Sequence, residues 1–177
     1  FCLSRGLGDV YKRQGYTVDP IIISPDRKKL LNENLMLFFT GFSRFSSEIQ
    51  VSTEGAMKDK TAQLLEMYSL VDDAEKILES KCDLVEFGKL LDHTWKLKRG
   101  ITNKISTDSI DGLYQKAIQA GATGGKLLGA GGGGFLLFYV EPDKQKDVRK
   151  ALENLLYVPF EFENAGTRVI HYTPCLL

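Results

Sequence analysis

The residues whose types and spacing best suit chemistry lie between Gly121 and Gly134, where eight of the chain's 17 glycines fall. Gly129, Ala130, Gly131, Gly132 and Gly133 make an unbroken block of small residues that runs straight into the apolar stretch Phe135–Val140. Glycine loses the most backbone entropy on folding, so concentrating it requires positive φ angles or a very close backbone approach. A loop of bare amides beside a buried strand can converge on phosphate oxygens, which makes the block a candidate anion cradle. A flexible hairpin is the other reading, but the block holds none of the Ser or Pro of a linker. Lys126, at the loop's edge, either neutralises phosphate charge or is a solvated lysine. Thr40 and Arg44 stand at the end of an apolar run and in the turn after it. A hydroxyl and a guanidinium there can face a ligand, and Arg can grip a sugar phosphate bidentately; a surface ion pair is the alternative for Arg44.

Two familiar phosphate loops are excluded. A Walker A loop needs Gly-x4-Gly-Lys followed by Ser or Thr, whereas Gly125-Lys126 is followed by Leu127 and the first glycine position is Ala120. Gly129-x-Gly131-x-x-Gly134 matches the dinucleotide fingerprint in letters, but that fingerprint follows a strand and opens a helix. Here the string follows a helix and opens a strand.

Composition narrows the class. The chain has 177 residues, enough for one domain with a real core. Lys+Arg and Asp+Glu are both 23, a formal net charge of zero, which argues against a nucleic-acid footprint. Cys2, Cys82 and Cys175 are far apart and odd in number, so neither a metal site nor a redox pair is expected, and a cytoplasmic setting is. The longest apolar run is six residues, too short for a membrane span.

The elements that must position the glycine block follow from periodicity. Val18–Ser24 and Leu35–Thr40 read as strands, and Ser43 or Ser46 as the start of a helix fading near Gly55. Lys58–Ser80 has apolar residues Leu64, Met67, Tyr68, Val71, Ala74 and Leu78 at helical steps. Leu84, Phe87, Leu91 and Trp95 define a further helix closing near Gly100. In it Trp95 is core, His93 a surface histidine, and Lys96, Lys98 and Arg99 a solvated end favoured by the helix dipole rather than a phosphate clamp. Asp72-Asp73 is a polar face. Asp108 is the expected N-cap of a helix ending at Gly121. Gly134–Val140 is a buried strand, and Pro142 suits the first turn of a helix carrying Val148, Leu152 and Leu155. Val158–Glu163 and Thr167–Tyr172 close the chain as strands around the turn Asn164–Gly166. This order predicts an α+β fold, a mainly antiparallel sheet with helices packed on one face. Phe1–Gln14 fits no pattern and reads as a non-native leader, with Cys175–Leu177 a similar scar.

Lys126–Gly134, entering a strand after a helix, resembles the third sequence motif of the GHMP kinases, the galacto-, homoserine, mevalonate and phosphomevalonate kinases. Phe38–Arg44 is similar to the strand and turn that open the family's C-terminal domain. Asp92–Lys98, Ile105-Ser106 and Gly121–Lys126 resemble its sugar kinase branch. The resemblance covers Val18 to Thr173 and implies a ferredoxin-like C-terminal domain over residues 35–174, preceded by a remnant of another domain or a linker over 15–34. It implies ATP and Mg²⁺ as cofactors, a sugar phosphate as partner, and phosphorylation of the anomeric hydroxyl of a heptose 7-phosphate. It also implies that Gly129–Gly133 meet the nucleotide phosphates and that Thr40, Arg44 and Lys126 meet the substrate. The family's Pro-x-x-Gly-Leu-Gly-Ser-Ser loop and catalytic aspartate are absent, since Gly6-Leu7-Gly8 lacks both the Pro and the Ser pair. No catalytic residue is therefore expected in this chain, and a missing N-terminal kinase domain is expected as its partner. A non-catalytic anion-binding or dimerising module is the alternative from another class. Fucose, galactose and mevalonate are alternative substrates within the family.

Overall fold

The computed structural model describes residues 20–41, 57–129 and 131–163. Ile21–Phe160 forms one compact unit; of a second, built from both termini, only Pro20 and residues 161–163 are described, and they have no regular structure. The leader 1–14, the helix expected from Ser43 or Ser46, the turn Asn164–Gly166, the strand Thr167–Tyr172, Arg44 and Ala130 lie outside the described residues.

Helix α1 spans Pro25–Glu33; of the strand expected over Val18–Ser24, Pro20–Ser24 has no regular structure, and Val18 and Asp19 lie outside the described residues. Its start is local chemistry: the Ser24 side chain accepts from the Arg27 N–H, Pro25 opens the first turn, and Asp26 complements the helix dipole. Strand β1 is Leu35–Phe39, and after a short 3₁₀ turn at Met57–Lys60 the long helix α2 covers Thr61–Glu79. Arg27 ties α1 to the end of α2 by donating to the carbonyls of Ile77, Leu78 and Cys82 at 2.6, 2.9 and 2.8 Å. These are carbonyls at or just past a helix end, which lack intrahelical donors. Of the expected apolar stripe on α2, Leu78 is buried and Leu64 and Met67 lie against the core, whereas Tyr68 and Val71 are exposed.

Helix α3 is Val85–Arg99 and α4 is Asp108–Gln119. The N-cap of α4 is Thr107, whose hydroxyl accepts from the Ile110 N–H at 3.3 Å, so Asp108 stands one position inside the cap expected of it. Strand β2, Gly124–Leu127, rises from within the glycine-rich stretch, and β3 is Phe135–Tyr139. Helix α5 begins at Gln145 and ends at Ala151, leaving Pro142 in the turn before it. Strand β4 is only Leu156–Tyr157. The strand expected at Val158–Glu163 does not form: the Val158 N–H still donates to Leu37 at 2.8 Å, but Pro159 has no N–H to continue a ladder.

The four strands form one antiparallel sheet in the order β2-β3-β1-β4. In register, Met36 faces Phe138, Phe38 faces Leu136, and Leu127 faces Leu136, which puts these side chains on one side of the pleat. There they form the core with Trp95 of α3, Ile110, Tyr114 and Ala117 of α4, and Val148 of α5. A chain of tilted rings runs through it, Trp95 to Tyr114 at 6.3 Å and Tyr114 to Phe138 at 5.6 Å. Each such side chain withdrawn from water contributes about 1.5–3 kcal/mol. Tyr139 points to the opposite side of the pleat. Its ring lies where a Cβ on Gly88 of α3 would stand, 2.9 Å away. Gly124 answers the same demand from the sheet, since a Cβ there would come within 2.0 Å of the Gly88 carbonyl. Two glycines thus let α3 seat its backbone directly on β2 and β3.

Candidate phosphate-binding site

The connection between β2 and β3 is the glycine loop, and its conformation is glycine's own. Gly129, Gly131, Gly132 and Gly134 have φ of +85°, +125°, +73° and +105°, a region that other L-residues enter at about 1–3 kcal/mol each. The loop is anchored to the body of the protein. The Gly132 N–H donates to the Ile105 carbonyl at 2.9 Å, and the Gly134 N–H donates to Thr40 Oγ1 at 3.1 Å. Thr40 returns two bonds to the Gly134 carbonyl, from its own N–H and from its hydroxyl, both at 2.9 Å. A Cβ on Gly131 would stand 2.8 Å from the Ile105 carbonyl oxygen, so the loop presses on the segment that leads into α4.

An alternation results. The amides of Gly132 and Gly134 are committed to the scaffold, while those of Gly129, Gly131 and Gly133 have no hydrogen-bond partner among the described residues. Unpaired amides on a positive-φ loop are donors suited to an anion's several oxygens. Thr40 is buried, and its hydroxyl holds the loop while its residue also lines a cleft of about 480 Å³ with Ser109, Leu113 and Lys116.

Two lysines flank these donors. Lys126 lies half-buried on β2 with no hydrogen-bond or ion-pair partner among the described residues, and burial pulls its ammonium below the usual lysine range. Lys98, in the last turn of α3, extends its Nζ across to the Gly129 carbonyl at 2.6 Å. Burial first, and the Lys126 charge second, bring Lys98 down to about 8. Sequence reasoning assigned Lys98 to a solvated helix end with Lys96 and Arg99. Those two do pair with carboxylates, Lys96 with Asp92 at 2.5 Å and Arg99 with Asp111 at 2.8 Å.

These carboxylates also organise the surroundings. Asp92 accepts from the Tyr114 hydroxyl at 2.7 Å, and burial together with Asp92 holds that phenol protonated far above its ordinary range. Asp111 accepts from Ser106 at 2.5 Å beside an open cleft of about 510 Å³ lined also by Arg99, Thr102 and Asn103. Neither cleft is lined by a residue of the glycine loop. His93 meets Glu66 at 2.8 Å on the surface, and Trp95 is fully buried. Among the described residues no group of three or more His, Cys, Asp and Glu could hold a metal ion, and no helix is long and apolar enough to cross a membrane.

Residues 72–158 match the family model for the GHMP kinase C-terminal domain, and the four-stranded antiparallel sheet under helices, with a glycine hairpin between two of its strands, accords with that match. Among its relatives is the D-glycero-alpha-D-manno-heptose 7-phosphate kinase of Campylobacter jejuni, 30% identical over 164 residues, which are 90% of this chain and 48% of that protein. The bifunctional fucokinase/GDP-fucose pyrophosphorylase of Arabidopsis thaliana is 28% identical over 141 residues, 77% of this chain and 13% of that one. The crystal structure of Methanococcus jannaschii mevalonate kinase superposes with a TM-score of 0.63 at 23% identity, over 77% of this chain and 42% of that one, a likeness of fold. The chain thus spans about half the length of the heptose kinase it matches.

Proposed function

We propose that the chain is the C-terminal part of an ATP-dependent sugar kinase that transfers the γ-phosphoryl group to the anomeric hydroxyl of a heptose 7-phosphate. The observation that carries the reading is the alternation of anchored and unpaired amides in the glycine loop, with two under-neutralised lysines beside it. Phosphoryl transfer asks a protein mainly for positioning and charge stabilisation, and fixed backbone donors supply both without reorganising during the reaction. In this reading Gly129, Gly131 and Gly133 donate to phosphoryl oxygens, Lys126 offsets their charge, and Thr40 and Ile105 hold the loop at the required shape. ATP with Mg²⁺, when bound, supplies the group transferred and the metal's charge. The unpaired amides and the lysines beside them suit phosphate oxygens, and no residue of this chain is assigned to Mg²⁺. No catalytic base is assigned to this chain; another domain is proposed to provide it. Arg44 is retained as a candidate for the sugar's phosphate on the chemistry of guanidinium alone, and Ala130 as part of the small-residue loop.

The test is ATP-dependent phosphotransfer by the full gene product, screened against heptose 7-phosphate, fucose, galactose and mevalonate. Turnover of the heptose above the others is expected. Turnover of another acceptor without the heptose would overturn the substrate, and no turnover with any of the four would overturn the kinase reading in favour of an anion-binding module.

A further inference from the structure

We propose that Lys98 binds a phosphoryl oxygen at the glycine loop, forming with Lys126 a two-cation clamp whose resting latch is the Gly129 carbonyl. The inference rests on the phosphate-cradle reading above and adds to it a residue, a second charge and a movement.

Three cations crowd the end of α3, and their partners separate them. Lys96 lies four residues after Asp92 and pairs with it, Arg99 reaches Asp111, and Lys98 turns instead toward the loop. A lysine in the last turn of a helix ordinarily stays in water or meets carbonyls of its own helix. Lys98 reaches a carbonyl 31 residues further along the chain, and no carboxylate of the described residues forms an ion pair with it or with Lys126. A neutral carbonyl only partly compensates a half-buried ammonium, and a like charge close enough to depress it adds to the cost.

An anion relieves all three deficits together. A phosphate dianion can take one oxygen to each ammonium and a third to the unpaired amides of the loop. Lysine serves such a group as a mobile point charge, and the hydrogen bond to Gly129 already places Nζ at the loop's rim. When a phosphoryl oxygen replaces the Gly129 carbonyl as acceptor, that carbonyl is released and the adjoining amides gain a ligand. The charged group that acts on this lysine is Lys126 from β2; on its own helix Lys96 and Arg99 are paired with Asp92 and Asp111. The shared chemistry, a phosphoryl group, can come from a nucleotide polyphosphate or from a sugar phosphate.

The experiment titrates the chain with inorganic tripolyphosphate and, separately, with glucose 6-phosphate, following the backbone amide resonances of Gly129, Gly131 and Gly133. Wild type, Lys98→Gln, Lys98→Arg and the control Lys96→Gln are compared, each first checked for native Trp95 fluorescence. Lys98→Gln should weaken at least one probe about tenfold or more, the worth of a hydrogen bond to a charged group. Lys98→Arg should restore most of the affinity and Lys96→Gln should change little. In wild type affinity should fall above about pH 8, where free Lys98 loses its proton, and in Lys98→Arg that step should be lost, leaving only the fall that comes from Lys126. Selective weakening of tripolyphosphate names the nucleotide as the source, and selective weakening of glucose 6-phosphate names the sugar. Wild-type affinity in Lys98→Gln with the glycine amides still shifting would overturn the role of Lys98 and leave the cradle standing. Glycine amides that respond to neither probe in wild type would overturn the cradle itself.

Discussion

Replacing Gly131 by alanine should cost the fold far more than replacing Gly129, although the two glycines are two residues apart and both have positive φ. At Gly129 the added methyl meets nothing within 4 Å, so the penalty is the backbone conformation alone, about 1 kcal/mol. At Gly131 the conformation is further from any well an L-residue favours, with φ of +125°. The methyl would also stand 2.8 Å from the Ile105 carbonyl oxygen and 2.9 Å from its Cα, where roughly 3.5 Å is comfortable. Something must move by roughly half an ångström or more, and Ile105 resists, because its side chain is buried and its carbonyl accepts from Gly132 at 2.9 Å. Overpacking of this kind adds about 1–3 kcal/mol, so the total for Gly131→Ala is about 3 kcal/mol. Urea unfolding followed by Trp95, the chain's one tryptophan and fully buried, measures both. With a slope of about 2 kcal/mol per molar, the midpoint should fall by about 0.5 M for Gly129→Ala and about 1.5 M for Gly131→Ala. Equal shifts would refute the claim that the loop is pressed on Ile105.

Three further outcomes are expected. Gly124→Ala should destabilise by about 1–3 kcal/mol in the same urea assay, since its methyl would collide with the Gly88 backbone at 2.0 Å. Gly112→Ala, inside α4 with open space around it, should stabilise by about 0.5–1 kcal/mol, and a reversed order would refute the packing of α3 on β2. Lys98→Met should change how stability depends on pH. Folded Lys98 sits near 8 against an ordinary 10.5, so between those values the unfolded chain binds more protons and wild-type stability rises with pH. The penalty is complete below pH 8 and gone above 10.5, and methionine escapes it. The gap between variant and wild type should therefore narrow by about 1–3 kcal/mol across that window, with a pH-independent offset from the lost bond to Gly129. A gap that stays constant from pH 7 to 11 would refute the depressed lysine.

What the sequence disclosed and what it hid divide along the reach of the forces involved. Strands β1 and β3 were legible because a run of five or six apolar residues buries most of its length, though Phe39 and Phe135 at the ends stay exposed, and α3 because Phe87, Leu91 and Trp95 keep a helical step. Helix α1 carried its start signal in Ser24-Pro25-Asp26, yet only Leu31 of that helix is buried, so periodicity had nothing to register. Strand β2 was invisible for a different reason. Gly124 and Gly125 have poor strand propensity, and what selects glycine at 124 is the backbone of Gly88, 36 positions earlier in the chain.

The site shows the same division more sharply. The glycine run announced a loop, and composition could say that its amides were bare. Which amides stay free is decided by Ile105 and Thr40, the latter 94 residues away in sequence, and no local pattern encodes it. Lys98 was hidden by its neighbours, since Lys96-Leu97-Lys98-Arg99 reads as an ordinary basic helix end. One local signal was available: Asp92 precedes Lys96 by four residues, the favoured spacing for a helical ion pair, so Lys96 could have been set aside. Separating Lys98 from Arg99 needed the fold, because Asp111 belongs to the next helix and Gly129 to the hairpin beyond it. The chemistry of the loop is thus a property of three segments brought together, α3 with its lysine, the Ile105 segment with its carbonyl, and the end of β1 with its threonine. A variant that loosened any one of them should free or engage the wrong amides while leaving every glycine in place.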